Sequence, residues 1–408
     1  MVKPLHIVIF ALVVMIFFAC SREENKQSQK TEPKEQPAES AVRETVKVKP
    51  LPPKDIKAVH KKDKKSPGTF KYTTTFHQTI GEVVSAPVVQ LKPRTVALYR
   101  QPGDSFSAAY EEVLPVTESS FSLRIIFDND IFDNTDYYYT NGARIELVFP
   151  FVDHSPLNKI LAGFREPDIG FSGFSITQNI YTPINPEATG IEYGDRPFAG
   201  YMTLGQFRES YSLKRRIYMK SALDLGMLGP ASLGETVQST VHYLEPTGWA
   251  YQIQNSFVIN YYFHIEKSFL SSPYFELGAI GEAQVGTLYD KIGGGLGFRV
   301  GHFMQVYRGP LTACCVSAGK REWQYWFFMT GMTDFVAWDA TMQGSFFDKK
   351  SPYTLDNDEI NRAVVRAGAG VAVYYHRFGL ELENFYLTPE FKGGRHFMYG
   401  RIKLVANF

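Results

Sequence analysis

After its opening twenty or so residues the chain has no apolar run approaching the roughly 20 residues a membrane-spanning helix requires, so any membrane crossing must be made by strands. Cysteine is scarce, with 3 in 408 residues. Cys314 and Cys315 are adjacent, and disulfide geometry disfavours a bridge across one peptide, so no disulfide framework is implied. Two thiolates alone also lack the ligands of a metal centre. An excess of either charge is missing as well: 43 Lys and Arg face 42 Asp and Glu, a net charge of +1. No basic stripe for a nucleic-acid partner is therefore expected.

What is present is unevenly spread. The 33 Gly and the 15% aromatic residues lie mostly after position 118, while Lys, Glu and Pro crowd the region before it. Residues 1–19 read as an export signal, with Lys3 ahead of the apolar core Ile7 to Phe18. Phe17-Phe18-Ala19-Cys20 resembles a bacterial lipobox, which would lipidate Cys20; ordinary cleavage nearby is the alternative, and both export the chain. From Ser21 to about Lys65 there is almost nothing to bury, so no core can offset the entropy of ordering. Residues 20–118 are expected to be a largely disordered tether, which as a flexible coil would span roughly 50 Å.

Residues 119–408 change to two-residue alternation punctuated by turns. In Ala143-Arg144-Ile145-Glu146-Leu147-Val148-Phe149 one face is apolar and the other carries Arg144 and Glu146, because strand side chains alternate. A strand apolar on one side and charged on the other suits a wall between lipid and a wet lumen. Such runs occur at about 120–128, 139–149, 171–181, 199–210, 215–228, 250–265, 273–288, 292–303, 322–338, 362–377, 379–388 and 397–408. Twelve is even, as a single-chain bacterial barrel with both ends in the periplasm requires. A soluble sandwich would alternate too, but long charged groups recur strand after strand and the last strand ends on Phe408, which resembles the assembly signal of outer-membrane barrels. The expected fold is all-β: a twelve-stranded antiparallel transmembrane β-barrel with a disordered N-terminal extension.

With the N-terminus periplasmic, the connections after odd-numbered strands lie outside. The polar clusters Asn129-Asp130 with Thr140, Gly194-Asp195-Arg196-Pro197, and Gln238 with His242 follow strands one, three and five, so all share the outer rim. Ser232 and Glu235 have capping-box spacing, so a short helix could begin there with Gln238 and His242 one turn apart. His242 would then be a candidate general base, with a pKa near working pH; a surface histidine is the alternative. Asn129 and Asp130 offer hard oxygen donors, near Asp128, Asp133 and Asp136, a set that favours calcium over transition metals. A polar hairpin end is the alternative there. By parity Thr140 should face the lumen with Arg144 and Glu146, while Asn129 points outward.

Taken in order, Asn129-Asp130, Asp136 to Gly142, Gln178 to Pro183, Gly194 to Gly200, Gly229-Pro230, Gln238 with His242, and Gly248-Trp249 with Gln252 resemble the lipid A 3′-O-deacylase family of outer membranes. The resemblance covers about residues 119–408 and is densest before 260. It implies hydrolysis of the 3′-acyloxyacyl ester of lipid A in lipopolysaccharide by a monomer in the cell outer membrane. It further implies a water activated by His242, a calcium ion near Asn129 and Asp130, and a site completed by Thr140. Outer-membrane lipids and the barrel assembly machinery would be its partners. One departure bears on substrate: the gap from Ile184 to Tyr193 holds no Lys or Arg, where family members carry basic residues suited to lipid A phosphates. Another is that the acidic residue expected shortly after the histidine is matched only by Glu245. The reading from a different class is a non-catalytic barrel, a small pore or structural module. Lumen residues Arg144, Glu146, Glu276 and Glu282 carry both signs, which suggests pairing that fills the interior.

Overall fold

The computed structural model describes residues 121–130, 137–187, 189–241, 247–272, 274–309, 323–347 and 349–407. The proposed signal, the tether, Cys20, Cys314, Cys315, Asp133, Asp136, His242, Glu245 and Phe408 lie outside the described residues.

Strands β1 (Ser122–Asn129), β2 (Tyr138–Val148), β3 (Ile169–Thr182), β4 (Ala199–Ser212), β5 (Ile217–Leu228) and β6 (Ser256–Ser271) make up the first half. The second half comprises β7 (Phe275–Gly286), β8 (Tyr289–His302), β9 (Trp323–Asp339), β10 (Ala363–Tyr375), β11 (Phe378–Leu387) and β12 (Phe397–Asn407). Each pairs antiparallel with its neighbours, and β1 pairs with β12 to close the barrel of twelve strands. Closure satisfies every strand edge, the condition for spanning a bilayer with sheet. Among the described residues no helix is long and apolar enough to cross a membrane. Among the described residues two short helices sit in connections: α1 (Gly234–Val241) between β5 and β6, and α2 (Ala340–Gln343) after β9.

Alternation sorts the side chains as the sequence suggested. One aliphatic row runs round the outer wall in register, Ile125 opposite Ile145, then Ile176, Leu204, Leu225 and Ile259. The inner wall is charged and paired. Arg124 donates to both oxygens of Glu209 at 2.5 and 2.9 Å and to Glu146 at 3.2 Å. Lys220 and Arg144 also donate to Glu146, at 2.6 and 2.8 Å. Elsewhere Arg366 pairs with Glu282 and Arg299 with Glu266 and Glu276. These pairs, with both partners largely out of water, fill the interior where a pore would hold solvent.

Towards the end carrying the connections after odd strands, the lumen is aromatic. Tyr139, Tyr181, Tyr201, Tyr289, Phe385 and Tyr399 form one buried cluster, with the Tyr181 and Tyr289 hydroxyls 2.9 Å apart. Arg196 of the Gly-Asp-Arg-Pro segment is 1% exposed. It lies 4.2 Å from the Tyr181 ring, donates to Thr341 Oγ1 at 2.7 Å, and pairs with Glu390 from the connection between β11 and β12. Burial pushes the Glu390 carboxyl above the ordinary carboxylate range even beside that guanidinium. Arg196 therefore locks three connections over the mouth.

Most strand ends shift by one to three residues from the sequence reading, and the connection between β5 and β6 departs further. The sixth strand starts at Ser256 and reaches Ser271, because Thr247–Tyr251 winds into a 3-10 turn instead of extending from 250. Ser232 does not cap α1: it ends the 3-10 turn Pro230–Ser232, and Leu233, with φ 63°, separates it from the helix. Glu235, the other half of the expected capping box, accepts from Gln252 Nε2 at 3.2 Å instead.

Candidate active site on the outer wall

The site residues are brought together by a bulge. In β2, Tyr139 faces Tyr181 and Asn141 faces Ile180, so Thr140 is the extra residue and alternation reverses there. Tyr139 turns into the lumen, where its hydroxyl donates to Asp128 Oδ2 at 2.9 Å. Gly142 makes that reach possible, since a Cβ there would sit 1.9 Å from the Tyr139 hydroxyl. Thr140 turns the other way, and its Oγ1 lies 2.8 Å from Thr182 Oγ1. Thr182 shares strand parity with Ile176, which is 51% exposed on the outer wall. Thr140 thus faces outward, not into the lumen as simple parity required.

Asn129 ends β1 opposite Asn141, and its Nδ2 donates to the Thr140 carbonyl oxygen at 3.0 Å. It points outward, as parity predicted. Asp130 follows directly and is 2% exposed. Asp128 faces inward and is committed to Arg401, at 2.7 and 2.8 Å, as well as to Tyr139.

The connection between β5 and β6 lies against the same outer face. Gln178, outward on β3, donates to the Ser232 carbonyl oxygen at 2.6 Å. Gly200 on β4 permits close approach: a Cβ there would lie 2.6 Å from Ser232 Oγ and 3.4 Å from Gly234 Cα. Ile180, Phe198 and Trp249 form a buried cluster on this face, with Val237 of α1 packed against it. Gln238 is 5% exposed. α1 therefore runs along the outside of the wall, and its C-terminal end leads directly to residue 242 in the chain.

Three sequence-predicted residues, Asn129, Asp130 and Thr140, thus share one end of β1 and β2, with α1 over neighbouring β3 and β4. Thr182 was not singled out, and the bulge that gives it to Thr140 has no signature in residue types. Among the described residues no group of three His, Cys, Asp or Glu side chains could hold a metal. The donors at hand, the Asn129 amide, the Asp130 carboxylate, the Thr140 and Thr182 hydroxyls and nearby backbone carbonyls, are hard oxygens, which suit calcium.

A family model described as outer membrane protein LpxR matches residues 96–408. The chain belongs to the LpxR family. This is the lipid A deacylase family that its ordered motifs resemble, and membership with the closed barrel places the protein in the outer membrane. Among solved structures, LpxR from Salmonella typhimurium superposes with a TM-score of 0.57 at 20% identity, over 70% of this chain and 100% of that one. The β domain of the Bordetella autotransporter BrkA gives a TM-score of 0.36 at 10% identity, over 71% and 99%. No curated protein sequence matches the chain. At 20% identity the Salmonella LpxR match speaks for the fold, and the family model carries the membership.

Proposed function

We propose that this LpxR-family protein is a carboxylic ester hydrolase that removes an acyl chain, the 3′-acyloxyacyl chain by resemblance, from lipid A in the outer leaflet. The observation that carries the reading is the outward turn of Thr140 and Asn129 beside α1. It puts the polar cluster on the wall that faces the leaflet, while the lumen is filled with paired charges and aromatic rings. A pore would need the opposite arrangement.

In this reading the glycolipid lies between α1 and the wall formed by β1 to β4, with its ester near the Asn129 and Thr140 end. His242, following α1, takes the proton of a water as that water attacks the ester carbonyl, and returns it to the departing alkoxide oxygen. Thr140, held by Thr182, and Asn129, held on the Thr140 carbonyl, orient the ester group. Asn129 and Asp130 would hold calcium, which when bound supplies Lewis-acid stabilisation of the carbonyl oxygen. The protein would act as a monomer, inserted by the barrel assembly machinery and exported by residues 1–19, with residues 20–118 as a tether anchored through Cys20 if that residue is lipidated.

The test is lipid A mass spectrometry on cells expressing the full chain with calcium present. The wild type should remove the 3′-acyloxyacyl group, and His242→Ala should abolish that loss while the barrel still shows its heat-dependent gel shift. Unchanged lipid A in the wild-type cells would refute the esterase.

A further inference from the structure

The connection between β2 and β3, residues 149–168, is held outside the barrel, at the end opposite the site. Its fixing points are polar side chains on the outward faces of β3 to β6. Asn158 Nδ2 donates to Ser172 Oγ at 3.1 Å, and Gln206 Nε2 donates to Asn158 Oδ1 at 3.0 Å. Arg208 donates to the carbonyls of Asn158 and Phe164 at 3.1 and 2.9 Å. Ser221 Oγ donates to the Ala162 carbonyl at 2.8 Å, and the Tyr261 hydroxyl accepts from Ala162 N at 2.7 Å. Ser221 lies four residues inside β5, about 13 Å along the strand. The segment thus climbs the wall instead of hanging below it.

Without the segment this sector would be a poor wall for lipid. On β9 the outward side chains run from Trp323 through Tyr325, Phe327 and Met329 to Phe335, all 40% exposed or more, a height on the order of 30 Å for a tilted strand. On β4 the outward positions below Leu204 are Gln206, Arg208 and Ser210, of which Gln206 and Ser210 are 5% and 0% exposed. The segment covers them and turns its own apolar residues outward: Phe151 is 66% exposed, Leu157 37% and Ile160 58%. The Ile160 carbonyl accepts from Tyr261, whose strand neighbour Val285 is 64% exposed in the lipid-facing band, so the two apolar surfaces are continuous. At the edge below, Arg215 of the turn between β4 and β5 lies 5.4 Å over the Phe164 ring, beside exposed Lys214.

We propose that residues 150–162 are an interfacial anchor seated in the periplasmic leaflet, with Phe151, Leu157 and Ile160 among phospholipid acyl chains and Lys214 and Arg215 at the height of the phosphates. Amphipathic segments of this kind bury their apolar face at the boundary between headgroups and acyl chains. The anchor hangs from Ser172 on the strand whose Gln178 holds the connection leading to α1, so it fixes the depth of the opposite rim.

The test uses the full chain in phospholipid nanodiscs, with Ile160→Trp and Phe151→Trp as single reporters and the parent emission subtracted. Both positions are exposed, so the barrel tolerates the change, checked by its heat-dependent gel shift. The expected result is loss of most of the introduced emission with phospholipid brominated near the glycerol end of its acyl chains, and little loss with aqueous iodide. Reporters open to iodide and indifferent to bromine would overturn the proposal, whether the segment faces water or awaits a protein partner. The anchor does not depend on the esterase reading, since neither reporter requires turnover.

Discussion

Replacing Glu209 by Leu tests the paired lumen quantitatively. Glu209 is 1% exposed and takes both nitrogens of Arg124, and Lys220 stands 3.5 Å away. Removing it leaves Arg124, Arg144 and Lys220 around Glu146 with one buried guanidinium stripped of its bidentate partner. Breaking a buried pair from one side costs about 3–5 kcal/mol, because the remaining charge stays out of water, here with only the 3.2 Å bond to Glu146 in place of the bidentate one. For a chain of this size that is a fall on the order of 10 °C in unfolding temperature, readable as the temperature at which the folded gel band disappears. Removing both partners, Arg124→Leu with Glu209→Leu, restores the charge balance of the cluster. The double variant should therefore be more stable than Glu209→Leu alone. A loss for Glu209→Leu below about 1 kcal/mol, the range of exposed pairs, would refute the closed interior. So would a double variant as unstable as the sum of the two single ones.

Further outcomes concern the outer wall. Gly200→Leu should push the Ser232 to Gly234 stretch off β4, an overpacking cost of about 1–3 kcal/mol, and lower lipid A deacylation while the barrel still folds, as its heat-dependent gel shift reports. Gly200→Ala should be far milder, because the nearest atom is a rotatable hydroxyl; equal activity of Gly200→Leu and wild type would count against α1 forming the site. Gly142→Ala should displace the Tyr139 ring and break its bond to Asp128, at a cost of about 1–3 kcal/mol in a buried cluster, seen as a lower barrel melting temperature. An unchanged melting temperature would contradict the bulge geometry.

The barrel was legible because its period is simple. Charged residues such as Arg144, Glu146 and Lys220 recur opposite aliphatic ones, and several of the connections between strands carry Gly, Pro and Asn, although the turns at 213–216 and 376–377 carry none. Twelve strands and their order followed from that alternation. What was not legible depends on departures from the period. Parity assigned Thr140 to the lumen, and one unpaired residue in β2 reverses it. The Ser232 and Glu235 spacing named the right helix but the wrong cap, because Leu233 takes a left-handed turn and Gln252 competes for the carboxylate. The segment at 149–168 is written in ordinary loop residues, and only the polar side chains it covers reveal that it lies on the wall.

The measurement that bears most directly on the central claim is the separation between the His242 ring and the Asn129 and Asp130 oxygens in a crystal of the protein grown with calcium. The account predicts the imidazole and those oxygens in one pocket on the outer wall, close enough for one water and one ester carbonyl to lie between them. An imidazole on the lumen side, or turned away from the ends of β1 and β2, would contradict it.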